Sequence, residues 1–360
     1  LATDDGLRKR KRYLGLILPN LVMVALLIGY PIYWVAAREV LLARLDQTAA
    51  DLGRAGYSVT RTGQSVGGFP FRLHLHFDRL RVAGPSGWGV DAQNLDAQAY
   101  LHAPGRWVLV AGQGLTLLRG PGGGVSVQGS PLRASIAGMK EAPWRIVVEG
   151  EGVRFQPLAQ ARPFTLTRAE RIDVLLRPAP DRTGGQIMAR ITKGVVSPQS
   201  ALKPLTGQTP LTLDLAIRIT RPDRFKGKGW AATARAWAKD GGRFQLVRLR
   251  AEAGAASLSA DAGAVTADDQ GRWSGALPLR LSLPLTTALL PMRISGPAEF
   301  TVRLVAVAAA LARGAGGRLP LTLTFSGGRI GLNGLPIGAA PRLYTPANAV
   351  SAGPPAAARP

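Results

Sequence analysis

The sequence predicts a mainly β protein: a long antiparallel meander, curled into an open groove or half-barrel with a few packing helices and preceded by one transmembrane helix. Three observations carry this expectation. Tyr13 to Val35 is an uncharged run placed directly after the basic block Arg8-Lys9-Arg10-Lys11-Arg12. From Tyr57 onward, segment after segment alternates apolar and polar residues with period two, as a strand with one buried face requires. The segments are divided by Gly84-Pro85-Ser86-Gly87, Ala103-Pro104-Gly105 and Gly120-Pro121-Gly122-Gly123, and strands joined by such short turns pair as antiparallel neighbours.

As a helix rising ~1.5 Å per residue, the apolar run covers about 34 Å, enough for a hydrocarbon core of ~30 Å. The cations before it should stay cytoplasmic, which places the rest of the chain across the membrane, outside the cytoplasm. A cleaved signal peptide ending at Val35-Ala36-Ala37 competes with this reading, but its apolar region would span only ~7–15 residues. The pattern also runs on into Arg38–Ala55, where Val40, Leu41, Leu45 and Leu52 recur at helical spacing. A retained anchor is expected, carried by Leu14, Leu16, Ile17, Leu21, Val24, Leu27, Ile28 and Trp34, with kinks at Pro19 and Pro31. The chain then divides into a cytoplasmic N-terminus (1–12), a transmembrane helix (13–35), a juxtamembrane amphipathic helix (36–56), a β-rich domain (57–344, with candidate halves 57–180 and 181–344) and a disordered tail (345–360).

Within the β region, Phe69 to Phe77 puts Phe69, Phe71, Leu73, Leu75 and Phe77 on one face and Arg72, His74 and His76 on the other. Further strands are expected at 88–103, 106–118, 124–136, 144–155 and 164–176, then at 186–196, 211–220, 244–250, 256–262 and 273–283. Helices are expected at Gly229–Lys239 and, opened by Pro297 and closed before Gly314, at 297–313. Strands return at 319–325 and 328–332, and Asn333-Gly334 signals a hairpin turn.

The 45 basic against 22 acidic residues give a net charge of +23, which ordinarily raises nucleic acid as a partner. Here the arginines are spread over the whole chain and the topology faces away from nucleic acid, so a solvated arginine-rich surface is the commoner reading; the functional one is attraction to anionic phospholipid head groups or lipopolysaccharide, with other envelope proteins as further candidate partners. With no cysteine there is neither disulfide nor thiolate metal site.

The helix leading into Gly56-Tyr57-Ser58-Val59, the block Gly67-Gly68-Phe69-Pro70-Phe71-Arg72, the segment from Trp237 to Leu283 and the closing Asn333-Gly334-Leu335-Pro336-Ile337-Gly338 with Pro341-Arg342-Leu343 resemble the alphaproteobacterial family catalogued as domain of unknown function 2125. That resemblance implies an envelope protein anchored in the inner membrane and brings no catalytic residues with it. A more distant likeness is to AsmA-type envelope proteins, whose β-rich groove domains are associated with moving lipid between membranes.

Candidate chemistry is sparse. Gly63-Gln64-Ser65-Val66-Gly67 has the form of a nucleophile elbow but is followed by a strand instead of a helix. His74 and His76 project from one strand face and could share a metal with His102 or Asp78, though solvent-facing histidines are the commoner outcome of such alternation. Asp268-Asp269 and Glu149/Glu151 fit turns and solvated faces, and Gly112-Gln113-Gly114 lies inside an alternating segment, where a bulge is expected. No enzyme activity and no cofactor are therefore expected. The expected site is an apolar groove for an acyl chain, lined by Phe69, Phe71, Leu73, Leu75 and Phe77 and extended by Val108, Val110, Leu115, Ile146 and Val148. On that reading Leu75→Asp leaves a folded protein without ligand; the rival reading is a scaffold that meets another protein through its β edges.

The topology is directly testable. A reporter that works only outside the cytoplasm, fused after Tyr344, is expected to be active; activity of a cytoplasmic reporter at that position would reverse the assignment.

Overall fold

The computed structural model describes residues 4–139, 143–181, 183–200, 202–224, 230–282, 318–340 and 342–344. The expected helix at 297–313 and the tail at 345–360 lie outside the described residues. One continuous helix, α1 (Asp4–Arg54), runs through both Pro19 and Pro31, so the two helices expected at 13–35 and 36–56 are a single element. Its part from Pro19 to Arg54 is long and apolar enough to cross a membrane. Leu21, Val24, Leu27 and Ile28 are exposed, whereas Trp34 is buried.

The helix stops where the sequence signals it. Gly56 takes φ +85°, and the amides of Gly56 and Tyr57 donate to the carbonyls of Gly53 and Leu52, closing the last turn. A side chain at Gly56 would be strained at that φ and would press on Pro85, 3.1 Å from the Cβ position.

The strands follow in order: β1 (Ser58–Thr62), β2 (Ser65–Gly67), β3 (Arg72–Ala83), β4 (Trp88–Tyr100), β5 (Arg106–Ala111), β6 (Leu115–Arg119), β7 (Gly124–Gln128), β8 (Leu132–Ala137), β9 (Arg145–Pro157), β10 (Leu166–Pro178) and β11 (Gly184–Val196). After the single turn α2 (Lys203–Thr206) come β12 (Leu211–Thr220), the helix α3 (Trp230–Lys239), β13 (Phe244–Ala253), β14 (Ala256–Ala260), β15 (Ala264–Ala267), β16 (Trp273–Ser282), β17 (Arg318–Ser326), β18 (Arg329–Leu332) and β19 (Leu335–Ala339). All nineteen belong to one antiparallel sheet.

Each row of this sheet pairs with the next row along the chain. Four rows consist of two strands end to end: β1 with β2 against β3, β5 with β6 against β4, β7 with β8 against β9, and β14 with β15 against β16. The single strands expected at 106–118 and 124–136 are therefore two of these broken rows, and β15 extends a row expected to end at 262. In the first of these breaks, Gly114 has φ +77° and its Cβ position lies 2.5 Å from the carbonyl oxygen of Val127, so the bulge there needs glycine. Asn333 and Gly334, both at positive φ, form the tight turn between β18 and β19. β10 and β11 pair along most of their length, so the sheet runs unbroken past residue 180.

Among the described residues the sheet is one layer thick, yet parts of its apolar face are dry. Leu75, Phe77, Leu95, Val125, Val127, Leu132 and Val153 form one buried cluster, and among the described residues Leu45 of α1 is the only helical side chain packed on it. Among the described residues a second cluster, with Leu279, Leu319, Leu321, Ile330, Leu332 and Ile337, is built from strands alone. A single sheet buries its own face in this way by curling over it, as the expected half-barrel does. Helix α3 closes one margin: Trp237 is fully buried, donates from Nε1 to the Thr220 carbonyl at 2.7 Å and packs its ring 4.8 Å from that of Phe244.

Two expectations about the groove need correction. Phe69 and Phe71 are not in the sheet: β3 begins at Arg72, because Gly67-Gly68 breaks the strand and Pro70 has no amide for a ladder, and both rings pack against α1. Val108 and Val110 lie on the opposite face, opposite Gln98 and Asp96; Trp107, Leu109 and Ala111 point inward instead. In Trp107-Val108-Leu109-Val110-Ala111 every position is apolar, so periodicity alone does not tell the faces apart.

Leu75, at 3% exposure, is core, so Leu75→Asp is now expected to unfold this end of the sheet. Urea denaturation should show Leu75→Ala losing about 2–5 kcal/mol, as deletions in a dry core do. Val174→Ala, at a position 38% exposed, should lose about 1 kcal/mol or less. Equal losses would mean that the two positions share one closed core.

Candidate functional site: an apolar trough and a polar back

Register connects the inner face of the sheet into unbroken apolar rows. One row passes through Leu73, Ala99, Trp107, Ile136, Ile146, Leu176, Ile187, Ile217 and Leu246, each directly opposite the next on the neighbouring strand. Beside it runs Leu75, Ala97, Leu109, Ala134, Val148, Val174, Ala189, Leu215, Leu249 and Ala260. A third starts at Leu132 and continues through Gly150, Ile172, Ile191, Leu213, Ala251, Leu258, Leu281 and Leu319. No polar side chain interrupts any of them.

Burial varies along these rows. Leu73, Leu75, Ala97 and Ala99 at one end, and Ala260 and Leu319 at the other, are dry. In the middle Val148 is 43% exposed and Val174 38%, with Ile187, Leu215 and Leu249 half-buried. The inner face is thus a trough closed at its two ends and open between them. Of the residues expected to line it, Leu73, Leu75 and Phe77 belong to the closed end, Leu115 packs on the same cluster, and Ile146 and Val148 lie in the open part. Sequence reasoning missed the lining of β10 to β13, although Ile172-Asp173-Val174 and Leu213-Asp214-Leu215 carry the alternation that marks it.

The other face is charged, and most of its ion pairs run across the strands, Arg171 with Asp173 lying along β10. Arg133 meets Glu149 at 2.6 Å; Arg171 meets Glu149, Glu151 and Asp173; Asp214 sits between Arg190 at 3.5 Å and Arg248 at 3.2 Å. Solvated pairs of this kind contribute about 0–1 kcal/mol each, so their effect is to keep this face in water and thereby fix which face is lined with apolar groups. Glu149 and Glu151 are accounted for by these pairs. Asp268 caps its own turn, accepting from the amides of Gln270 and Arg272 and from the Arg272 guanidinium.

His74 and His76 lie on the charged face, joined through one carboxylate. Asp96 Oδ1 is 2.8 Å from His74 Nε2 and 2.9 Å from His76 Nδ1, and His76 Nε2 is 3.3 Å from Asp78 Oδ1. His102 instead stacks on Tyr100, ring centroids 5.3 Å apart. Among the described residues no group of three or more His, Asp and Glu side chains converges as a metal site would. Ser65, on β2, stands opposite His76, which stands opposite Asp96, so the three fall in one line across three strands. Both ring nitrogens of His76 are engaged by carboxylates, Nδ1 by Asp96 and Nε2 by Asp78.

The described residues thus define a mainly β protein built on one antiparallel meander, one face charged and the other apolar, preceded by a helix long and apolar enough to cross a membrane. The chain belongs to the family described as uncharacterized protein conserved in bacteria (DUF2125), whose model matches residues 34–341. No curated protein and no solved structure matches the chain.

The histidine cluster yields a pH prediction. The Asp96 hydrogen bond, reinforced by Asp78, raises His76 above its ordinary 6.5. For Asp96, partial burial pushes upward, but the hydrogen bonds and charges of the two histidines prevail and hold it below its ordinary 3.8. A raised His adds stability that is complete below 6.5 and disappears as pH rises through its folded value; a depressed Asp adds stability that is complete above 3.8 and disappears as pH falls through its folded value. The cluster therefore stabilises most between these two limits. NMR titration should place the His76 midpoint above 6.5, and Asp96→Asn should lower it; an unchanged midpoint in that variant would separate His76 from Asp96.

Proposed function

We propose that the chain is a bacterial envelope protein, held in the inner membrane by α1 with its bulk in the periplasm, whose trough binds lipid acyl chains or a similar amphiphile and helps transfer them. The observation that supports this is the open middle of the trough: three parallel apolar rows remain partly in contact with solvent from β9 to β13, where a folded chain without a ligand gains nothing by leaving them uncovered. The reading rests on this surface and not on the distant likeness to AsmA-type proteins.

Retention of α1 is supported by its role in the fold. Trp34 is buried with Leu73 and Leu101, with Tyr30, Ala37 and Leu41 packed around them, and Trp34 Nε1 donates to the Arg72 carbonyl at 3.0 Å. Cleavage at Val35-Ala36-Ala37 would strip Tyr30 and Trp34 from this cluster. Binding needs no catalytic group, in keeping with the engaged state of His76.

A second reading, a scaffold for another envelope protein, draws on the sheet margins. Among the described residues β1, β2 and β19 pair on one side only, leaving backbone groups for a further strand.

A photo-reactive amino acid introduced in cells at Val148 or Val174 is expected to form adducts with lipid. The same group at Val147 or Leu175, one residue along on the charged face, is expected to form none. Absence of lipid adducts at Val148 and Val174, or equal labelling on both faces, would remove the lipid reading; protein adducts at β1 or β19 would favour the scaffold.

A further inference from the structure

Phe69 and Phe71 are 53% and 68% exposed although the chain has packed cores available to it. Their loop is nevertheless tied down. The Tyr30 hydroxyl donates to the Pro70 carbonyl at 2.8 Å and Trp34 Nε1 to the Arg72 carbonyl at 3.0 Å. The Tyr30 ring lies 6.3 Å from Phe69 and 6.5 Å from Phe71, and Trp34 packs edge-on to Phe69 at 5.8 Å. Residues 69–72 are thus fixed at the height of Tyr30 to Trp34 on α1.

That height has a meaning if α1 crosses a membrane. Counted from Leu14 at ~1.5 Å per residue, Tyr30 lies about 24 Å and Trp34 about 30 Å along the helix, at the boundary between hydrocarbon and head groups on the side away from the basic block. Tyr and Trp rings concentrate at this boundary. Tyr33, also exposed, stands there too.

The same edge of the sheet carries more such residues. In an antiparallel meander alternate turns share an edge, and the row Leu73, Ala99, Trp107, Ile136 and Ile146 runs just inside the one that holds Phe71. Beyond that row lie Tyr100, 49% exposed, and Trp144, 46% exposed. The Arg72 guanidinium sits 5.1 Å over the Tyr100 ring, a cation at the level where lipid phosphates would be met.

We propose that this edge, through Phe69, Phe71, Tyr100 and Trp144, docks on the lipid surface at the far end of α1, seating its aromatic rings among the head groups with Arg72 beside the phosphates. The proposal rests on the reading of α1 as a membrane anchor. Seated in this way, the first apolar row of the trough borders the bilayer, and an acyl chain passes from leaflet to trough without traversing water.

The chain has no cysteine, so single thiols can be placed at will. The full-length variants Phe71→Cys, Trp144→Cys, Leu27→Cys and Ser86→Cys, the last in the exposed turn between β3 and β4 on the opposite edge, are labelled with an environment-sensitive fluorophore in phospholipid vesicles. Spin-labelled lipid then serves as quencher. Labels at positions 27, 71 and 144 are expected to lose most of their emission, and the label at 86 to keep it. If position 27 is quenched while 71 and 144 behave like 86, α1 is an anchor and the docked edge is refuted. If position 27 is not quenched, the anchor fails and the docking proposal falls with it.

Discussion

Among the described residues no second layer covers the apolar face of this sheet, and the rest of the described structure follows from how the sheet covers it itself. At both ends the sheet curls until its own strands exclude water, giving the cores around Val125 and Val153 and around Ile330 and Leu332. Between them the curvature does not close, and Val148 and Val174 stay wet. Bulges and broken rows supply the bending: each places an extra residue or two where the ladder changes direction, and glycine at Gly114 admits the backbone of β7.

The charged face is the necessary complement. Shifting one strand by a single residue would exchange Glu149 for Val148 and Asp173 for Val174, driving carboxylates inward and valines out. The cross-strand pairs of Arg133 with Glu149, Arg171 with Glu149 and Glu151, and Arg190 and Arg248 with Asp214 add to the cost of that slip, even though each pair is weak by itself. Register across the whole meander is therefore secured by repetition and not by any one strong contact.

Much of this was legible in the sequence, and the exceptions have physical causes. The apolar span, the meander, the helix stop at Gly56 and the turn at Asn333-Gly334 all depend on local signals: hydropathy, period two and left-handed backbone. The orientation of β5 was not legible, because Trp107 to Ala111 is apolar throughout and only the polar partners Asp96 and Gln98 across the strand pair decide which valines face out. Phe69 and Phe71 continue the alternation of β3 on paper, yet Gly68 and Pro70 take them off the ladder toward Tyr30. The joining of His74 and His76 through Asp96, some twenty residues away, needed the register between β3 and β4. Each miss involves a partner on another strand, which no window along the chain can contain.

Because each described row pairs its backbone only with the rows before and after it, the hydrogen-bonded ladder is close to one-dimensional. In the open middle, backbone cohesion passes from neighbour to neighbour, as in stacked repeats. Duplicating a hairpin in the middle would insert two more rows and lengthen the recess by about 10 Å, at ~4.8 Å per strand, while the ends that close it remain as they are. Length is thus adjustable in the open middle of this architecture without redesigning the helix-packed start of the sheet or its closed far end.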